Sequence, residues 1–401
     1  MHDTPLIFTI AISLTLAFVF GFIAFKMRLA PIVGYLAAGI TIGPHTPGLV
    51  ANSTLAAELS ELGIILMMFG VGLRFSTSDL LSVSRAAYLG AIPQIVLSTI
   101  AGAYLSSFWG LPWGEALFVG LGLSVASTIV VIGALEKRNL LADEAGKISI
   151  GWLLSQDLAV VFFLALVPAL APALKQPSFE WQAIGAVVPA LGIACAKAAG
   201  FIGAMLFAGR KFFPWFLTKV GDTGSRELFT LFVIGVPIGI ALLAAHLFSV
   251  SMALGAFLAG IVLNESELSH HAAAKALPLQ DAFAVLFFVS TGMSFNPSVV
   301  YNNPGQLLCA VMFIVVFNPL ISFLLLTICV KYKATLAGKV AGGLAQIGEF
   351  SMLLAALGMG LGLLRSTAYN VIVGAALCSI TIFSLTSRGI EMMSSRLESR
   401  T

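Results

Sequence analysis

Val33-Gly34-Tyr35-Leu36-Ala37-Ala38-Gly39-Ile40 returns, altered but legible, as Leu254-Gly255-Ala256-Phe257-Leu258-Ala259-Gly260-Ile261, so that Val33 falls on Leu254. A second pair keeps the same spacing to within one position. Leu66-Met67-Met68-Phe69-Gly70-Val71-Gly72-Leu73-Arg74-Phe75 matches Leu286-Phe287-Phe288-Val289-Ser290-Thr291-Gly292-Met293-Ser294-Phe295, so that Leu66 falls on Leu286. Two separate matches at one offset read as an internal repeat. Apolar runs cut by Gly, Pro and charge give about thirteen candidate helices, near 5–26, 31–43, 54–75, 85–108, 112–135, 145–170, 182–209, 225–247, 250–264, 279–294, 304–330, 335–361 and 367–392. The second and ninth are short. The repeat lays helices 2–6 onto helices 9–13. Seven helices separate the two starts, so the second copy runs upside down, and inverted repeats are the architecture of secondary transporters.

The composition forces these runs into a membrane. The chain is 59% hydrophobic and 10% charged, with a mean hydropathy of +1.02, where a soluble domain carries roughly 25% charged residues. Runs of about 18 apolar residues recur along the whole length, each long enough to cross a hydrocarbon core roughly 30 Å thick as a helix. The fold class is therefore an all-α polytopic membrane protein. The first run, from Pro5 to Phe25, lacks a basic leader before it and is long enough to span. It is read as part of the mature chain and not as a cleaved signal. The four cysteines, Cys195, Cys309, Cys329 and Cys378, lie far apart and are read as small core residues.

Basic residues set the orientation. With the N-terminus outside, 18 of the 21 Lys and Arg residues fall in cytoplasmic segments, among them Lys26, Arg74, Lys137, Arg138, Arg210, Lys331 and Arg388. Only Lys175 and Arg365 fall outside, and Lys197 falls within a helix. The positive-inside rule then gives an outside N-terminus, a cytoplasmic C-terminus and an odd number of spans. Residues 1–401 read as one transmembrane transport domain: a first repeat over about 31–170, linker helices over about 182–247 and a second repeat over about 250–392. No connection has room for a soluble domain.

Three ionisable residues lie clearly within the hydrocarbon region, away from the ends of their runs: Asp157 in the sixth, Lys197 in the seventh and Glu349 in the twelfth. Each costs about 2.5–3.5 kcal/mol at a bilayer centre on the insertion scale, so each needs a reason. Asp157, in Trp152-Leu153-Leu154-Ser155-Gln156-Asp157-Leu158, can take a proton or a cation, with its proton affinity set by burial among Trp152, Leu153, Leu158 and Val161. The repeat offset carries Ser124-Val125-Ala126-Ser127-Thr128 onto Leu344-Ala345-Gln346-Ile347-Gly348, and both interrupt an apolar run. Freed carbonyls there, with the hydroxyls of Ser124, Ser127 and Thr128, supply oxygen ligands suited to a desolvated alkali cation beside Gln156 and Asp157. Glu349, next to Gln346 and Gly348, is positioned to compensate half-helix ends. Gln346 can satisfy unwound backbone. Lys197 reads as structural or lipid-facing. His270 and His271 with Glu265 and Glu267 read as a solvated loop, the competing reading being a metal or pH sensor.

The sequence resembles the monovalent cation:proton antiporter-2 family, and within it the Kef-type potassium/proton antiporters. The likeness rests on Ile32 to Gly39, Gly63 to Leu73, Gln156-Asp157, Ser225-Arg226-Glu227-Leu228-Phe229-Thr230, Leu286 to Met293 and, most specifically, Ala345-Gln346-Ile347-Gly348-Glu349-Phe350. It covers essentially the whole chain. It implies a sodium/proton-antiporter-like fold with two crossed, broken helices in a six-helix core, a homodimer in the lipid bilayer of a bacterial-type inner membrane, and elevator movement of the core. Kef-type members also carry a cytoplasmic nucleotide-binding regulatory domain beyond the membrane part. Electrogenic relatives have two adjacent aspartates in the sixth helix and a lysine in the eleventh. Here the residues are Gln156-Asp157, and the matching stretch of the eleventh is Phe317-Asn318-Pro319, which makes Asn318 a neighbour of the site. A single carboxylate at which one proton and one monovalent cation compete gives one-for-one, electroneutral exchange.

The expected function is exchange of a cation, potassium first and sodium second, for a proton. The chain is read as a carrier and not an enzyme, with K+ or Na+ and H+ as substrates, no cofactor and no nucleic-acid partner. No P-loop, TVGYG filter, HExxH or Gly-x-Ser-x-Gly occurs in it. Two other classes compete: a ligand-gated potassium efflux channel, and a membrane sensor whose transport site has decayed.

Overall fold

The computed structural model describes residues 5–48, 50–74, 85–141, 143–176, 181–266 and 268–398. Phe75, Glu267 and Arg400 lie outside the described residues. Among the described residues every regular element is helical: α1 (Pro5–Lys26), α2 (Pro31–Ile42), α3 (Ser53–Arg74), α4 (Arg85–Ser107), α5 (Trp113–Gly122), α6 (Thr128–Lys137), α7 (Glu144–Leu174), α8 (Trp181–Ala204), α9 (Arg210–Asp222), α10 (Arg226–Phe248), α11 (Met252–Asn264), α12 (Ser269–Ser294), α13 (Val299–Asn302), α14 (Pro304–Met312), α15 (Asn318–Leu324), α16 (Ala334–Gly343), α17 (Glu349–Gly360) and α18 (Ser366–Glu398). Wider π-helical turns at Met205–Gly209 and Phe313–Phe317 join α8 to α9 and α14 to α15, and a third, Leu325–Cys329, extends α15.

Among the described residues, seven helices are long and apolar enough to cross a membrane: Pro5–Lys26, Ser53–Leu73, Glu144–Pro168, Arg226–Phe248, Ser269–Ser294, Pro304–Cys329 and Ser366–Phe383. Pro31–Ile42, Met252–Asn264 and Glu349–Gly360 are shorter apolar helices. Helix starts follow local chemistry. Pro31 occupies the first turn of α2, where its missing N–H costs nothing, and the hydroxyls of Ser127, Ser225 and Ser251 accept from the N–H groups of Val130, Leu228 and Leu254 to cap α6, α10 and α11.

The helices pack in two groups. In one, α2, α3, α11 and α12 lie against one another, with α1 on α2 and α10 on α11. In the other, α4 packs on α5 and α7, and α16 and α17 pack on α18. The first group closes on glycines. A Cβ on Gly39 of α2 would strike Val289 O and sit 2.9 Å from Gly292 Cα of α12, and one on Gly72 of α3 would strike Phe257 O and sit 3.0 Å from Gly260 Cα of α11. Backbones this close gain dispersion where burial of apolar area drives nothing, because lipid is as apolar as the partner helix.

Several expectations shift. The helix expected at 279–294 begins at Ser269, with His270 and His271 exposed in its first turn and not in a loop. A polar first turn outside the bilayer leaves no hydropathy signal. Glu265 pairs with Arg210, and no cluster of three metal-ligating side chains occurs among the described residues. The helix expected to end at 209 runs on through the Met205–Gly209 turn into α9. All four cysteines are exposed on the outside of the bundle and not in its core, because hydropathy cannot separate a lipid-facing side chain from a buried one. Lys197 Nζ donates to Ser249 Oγ at 3.1 Å, tying α8 to the left-handed residue that ends α10.

Candidate functional site

Two helices stop short and restart at the centre of the second group. α5 ends at Gly122 and α6 begins at Thr128; α16 ends at Gly343 and α17 begins at Glu349. These half-helices have 10, 10, 10 and 12 residues, so each spans about 15–18 Å at 1.5 Å per residue, half the hydrocarbon thickness. The two breaks touch. A Cβ on Gly348 would lie 2.8 Å from Ser127 Cα and collide with the Ser127 side chain, so only glycine lets the strands cross here.

Side chains supply what the interrupted backbone lacks. Ser127 N–H donates to Gln346 Oε1 at 3.2 Å, and Gln346 Nε2 donates to Ser127 O at 3.1 Å, a two-point clasp between the breaks. Ala126 N–H donates to Gln156 Oε1 at 3.2 Å, and Gln156 Nε2 donates to Gln94 Oε1. Gln94 Nε2 in turn donates to Ser124 O at 3.0 Å. Asn318 Nδ2 donates to Leu123 O at 2.6 Å and Ser351 Oγ to Val125 O at 3.2 Å. The carbonyls from Leu123 to Val125 are therefore all held by side chains of other helices.

Both carboxylates sit on this crossing. Asp157, 3% exposed, accepts from Thr128 Oγ1 at 2.8 Å through Oδ2, while its Oδ1 is buried with no hydrogen-bond partner. Glu349, 4% exposed, accepts from Ser127 Oγ at 2.6 Å. Thr128 is the first residue of α6 and Glu349 the first of α17, so two positive helix ends meet and the carboxylates lie beside them. Asn318 Oδ1 is also buried and unpartnered. The π-helical turn at Phe313–Phe317, just before Pro319, turns Asn318 toward the break; a proline cannot donate to the helix behind it, and the wide turn absorbs the missing bond.

The sequence residues Asp157, Gln156, Ser124, Ser127, Thr128, Asn318, Gln346, Gly348 and Glu349 thus come together. Their roles divide by geometry. Thr128 and Ser127 carry their hydroxyls to the two carboxylates, whereas Gln156, Gln346 and Asn318 hold backbone and Ser124 Oγ donates to Leu121 O at 2.8 Å. Sequence reasoning missed Gln94 and Ser351. Gln94, buried next to Pro93 in an apolar helix, carried the available signal, an amide with no reason to face lipid.

A cavity of about 360 Å³ lies between the two groups, on the side where α3 and α11 begin and α12 ends. Leu164, seven residues past Asp157 on α7, and Leu353, four past Glu349 on α17, face it. Both are on the helix faces that carry the carboxylates.

Comparison with known proteins gives the family and the fold. The model of the transmembrane sodium/hydrogen exchanger family matches residues 12–390. The chain is 47% identical over 381 residues to the candidate cation/proton antiporter YbaL of Escherichia coli K12, covering 95% of this chain and 68% of that protein. It is 31% identical over 344 residues to K(+) efflux antiporter 4 of Arabidopsis thaliana, covering 85% of this chain and 56% of that protein. Among solved structures, the sodium proton antiporter MjNhaP1 of Methanocaldococcus jannaschii superposes with a TM-score of 0.69 at 17% identity over 99% of both chains, a likeness of fold. The chain belongs to the transmembrane sodium/hydrogen exchanger family, in its Kef-type cation:proton antiporter-2 branch.

Proposed function

We propose that this chain is the membrane transport domain of a carrier that exchanges one monovalent cation for one proton at Asp157. The observation that carries the reading is a buried carboxylate with one oxygen fixed by Thr128 and the other unpartnered, set where two helices unwind. Oxygen is the ligand that a hard cation accepts in place of water. A proton on Asp157 and a cation at Asp157 exclude each other. With Gln156 committed to backbone, no second aspartate shares the site, so the exchange is one-for-one and electroneutral. Potassium is the first choice of cation, supported by the potassium antiporter among the relatives, and sodium the second. Glu349 is assigned to the helix ends and not to the ion.

The reading includes thirteen spans, two of them broken, in inverted repeats. Support comes from paired contacts. Gly39 meets Gly292 and Gly72 meets Gly260; under the repeat, Gly39 becomes Gly260 and Gly72 becomes Gly292, so each contact is the other's image. Gly34 packs on Phe20 and Gly21 of α1, and Gly255 packs on Ile240 and Ala241 of α10. Gly34 and Gly255 keep the offset that carries Val33 onto Leu254, while Phe20 and Gly21 fall on Ile240 and Ala241 at the offset that carries Leu66 onto Leu286, which extends the repeat one helix further upstream. Alternating access then follows as movement of the broken-helix group, an elevator, against the glycine-packed group. The N-terminus lies outside and the C-terminus in the cytoplasm of a bacterial-type inner membrane, and the chain pairs as a homodimer.

Sealed proteoliposomes loaded with a pH-sensitive dye test this. Addition of K+ or Na+ is expected to move protons, and Asp157→Asn to abolish the movement. Full proton and cation flux in the folded Asp157→Asn protein would overturn the assignment, and unitary currents in place of saturable flux would favour a channel.

A further inference from the structure

The cavity between the two helix groups holds one carboxylate. Glu61 of α3 lines it together with Ser60 of the same helix and Ser290, Thr291 and Ser294 of α12. Glu61 is exposed and forms no ion pair among the described residues. The register that aligns Leu66 with Leu286 continues toward the helix starts, where Leu59-Ser60-Glu61 falls on Leu279-Gln280-Asp281. Glu61 and Asp281 are therefore equivalent under the repeat, at the same depth from opposite ends of the bundle. Contact geometry supports that register independently. A Cβ on Gly63 would meet the carbonyl oxygen of Phe283, its own equivalent in the second copy, as expected where a two-fold axis passes between α3 and α12.

The two ends differ in how they are filled. At one, the small side chains of Ser60 and Ser290 leave the cavity. At the other, their equivalents are Gln280 and Gly70, and the Gln280 amide lies directly on Gly70, where any Cβ would strike its Oε1. Gln280 is buried, and Asp281 beside it is exposed within electrostatic reach of Tyr35.

We propose that Glu61 and Asp281 are paired vestibule carboxylates that gather monovalent cations on opposite faces of the membrane, Glu61 where the cavity opens and Asp281 at the face closed by Gln280. This rests on the inverted-repeat antiport reading and adds residues that do not bind the transported ion at its site. A fixed negative charge in a walled cleft raises the local cation concentration and the capture rate, and salt screens the effect. Each carboxylate thus sets the apparent affinity on its own face and leaves the turnover alone.

The test is cation-dependent proton movement in right-side-out and everted membrane vesicles, titrated with K+ at low ionic strength. Glu61→Gln is expected to raise KM roughly threefold on the cavity face only and Asp281→Asn by a similar factor on the opposite face only, with maximal rates unchanged. Choline chloride should remove both effects, and Glu61→Asp and Asp281→Glu should keep the original KM. Glu58→Gln, a change in an exposed carboxylate three residues away that does not line the cavity, sets the background. The proposal is overturned if both variants behave as Glu58→Gln does, or if either shifts KM equally on both faces. If the unsubstituted chain shows no cation-dependent proton movement, the antiport reading itself fails, and this proposal with it.

Discussion

Replacing Gln346 by leucine keeps the bulk of the side chain and removes both hydrogen bonds of the clasp between the two breaks. Ser127 N–H loses its acceptor at 3.2 Å and Ser127 C=O its donor at 3.1 Å, in a crossing where Gln346 and Ser127 are at most 1% exposed. A buried polar group left unpaired costs about 1–3 kcal/mol, which gives about 2–6 kcal/mol for the pair. Polar contacts measured inside membranes are weaker, about 0.6 kcal/mol on average and up to about 1.7, because the chain finds other partners when unfolded in lipid. The two bounds overlap at about 2–3 kcal/mol. The assay is the apparent melting temperature of the detergent-solubilised protein, read as the monodisperse fraction after heating, with Ser379→Ala alongside. Ser379 receives one long bond, from Ile347 N–H at 3.4 Å, so Ser379→Ala unpairs one weakly held donor where Gln346→Leu unpairs two groups, and it is expected to cost the smaller amount. Gln346→Leu is expected to melt several degrees below both the parent and Ser379→Ala and to lose transport. Melting of Gln346→Leu at or above Ser379→Ala would refute the argument that side chains stabilise the interrupted backbone.

Other outcomes follow from the same contacts. Glu349→Gln removes the charge between two positive helix ends and should lower expression or melting temperature, by about 1 kcal/mol or somewhat more, before it alters the preference between K+ and Na+; a well-folded variant with changed selectivity, seen in the dye assay, reverses the assignment. Gly39→Val and Gly72→Val each push a side chain into the backbone of α12 or α11 and should reduce the yield of folded protein severely, while Gly235→Ala, where a Cβ meets nothing within 4 Å, should not. Arg365 is 59% exposed and binds Glu115, 5% exposed, through Nε at 2.7 Å and its own N–H at 2.8 Å. Arg365→Ala keeps the second bond and should cost about 1 kcal/mol in a melting assay, less than Glu115→Leu, which unpairs both donors.

Part of this was legible in the sequence for physical reasons. Glycines at close helix contacts are hard to replace, so Gly39, Gly72, Gly260 and Gly292 preserved the pattern from which the repeat was read. A carboxylate inside an apolar run is conspicuous because it is costly, which exposed Asp157 and Glu349. Ser124 to Thr128 and Leu344 to Gly348 stood out as polar interruptions, and the structure unwinds at both. Hydropathy failed where lipid and protein interior look alike: the cysteines face outward, and the amide of Gln94, which links Gln156 to Ser124 O, reads in one dimension as a single polar residue. Asn318 was found only through the resemblance, since nothing local announces that a π-helical turn aims it at Leu123. The polar first turn of α12 and the continuation of α8 into α9 lie beyond the apolar stretches, so an apolar count cannot see them.

The central claim is competition between one proton and one cation at Asp157, and its most direct test is the apparent KM for K+ measured against pH in proteoliposomes. One competing proton predicts that, on the acid side, KM rises about tenfold for each unit fall in pH while the maximal rate stays constant, a proton binding with the weight of one charge on one carboxylate. A KM that does not vary with pH, or one that rises about a hundredfold per unit, would contradict a single shared site.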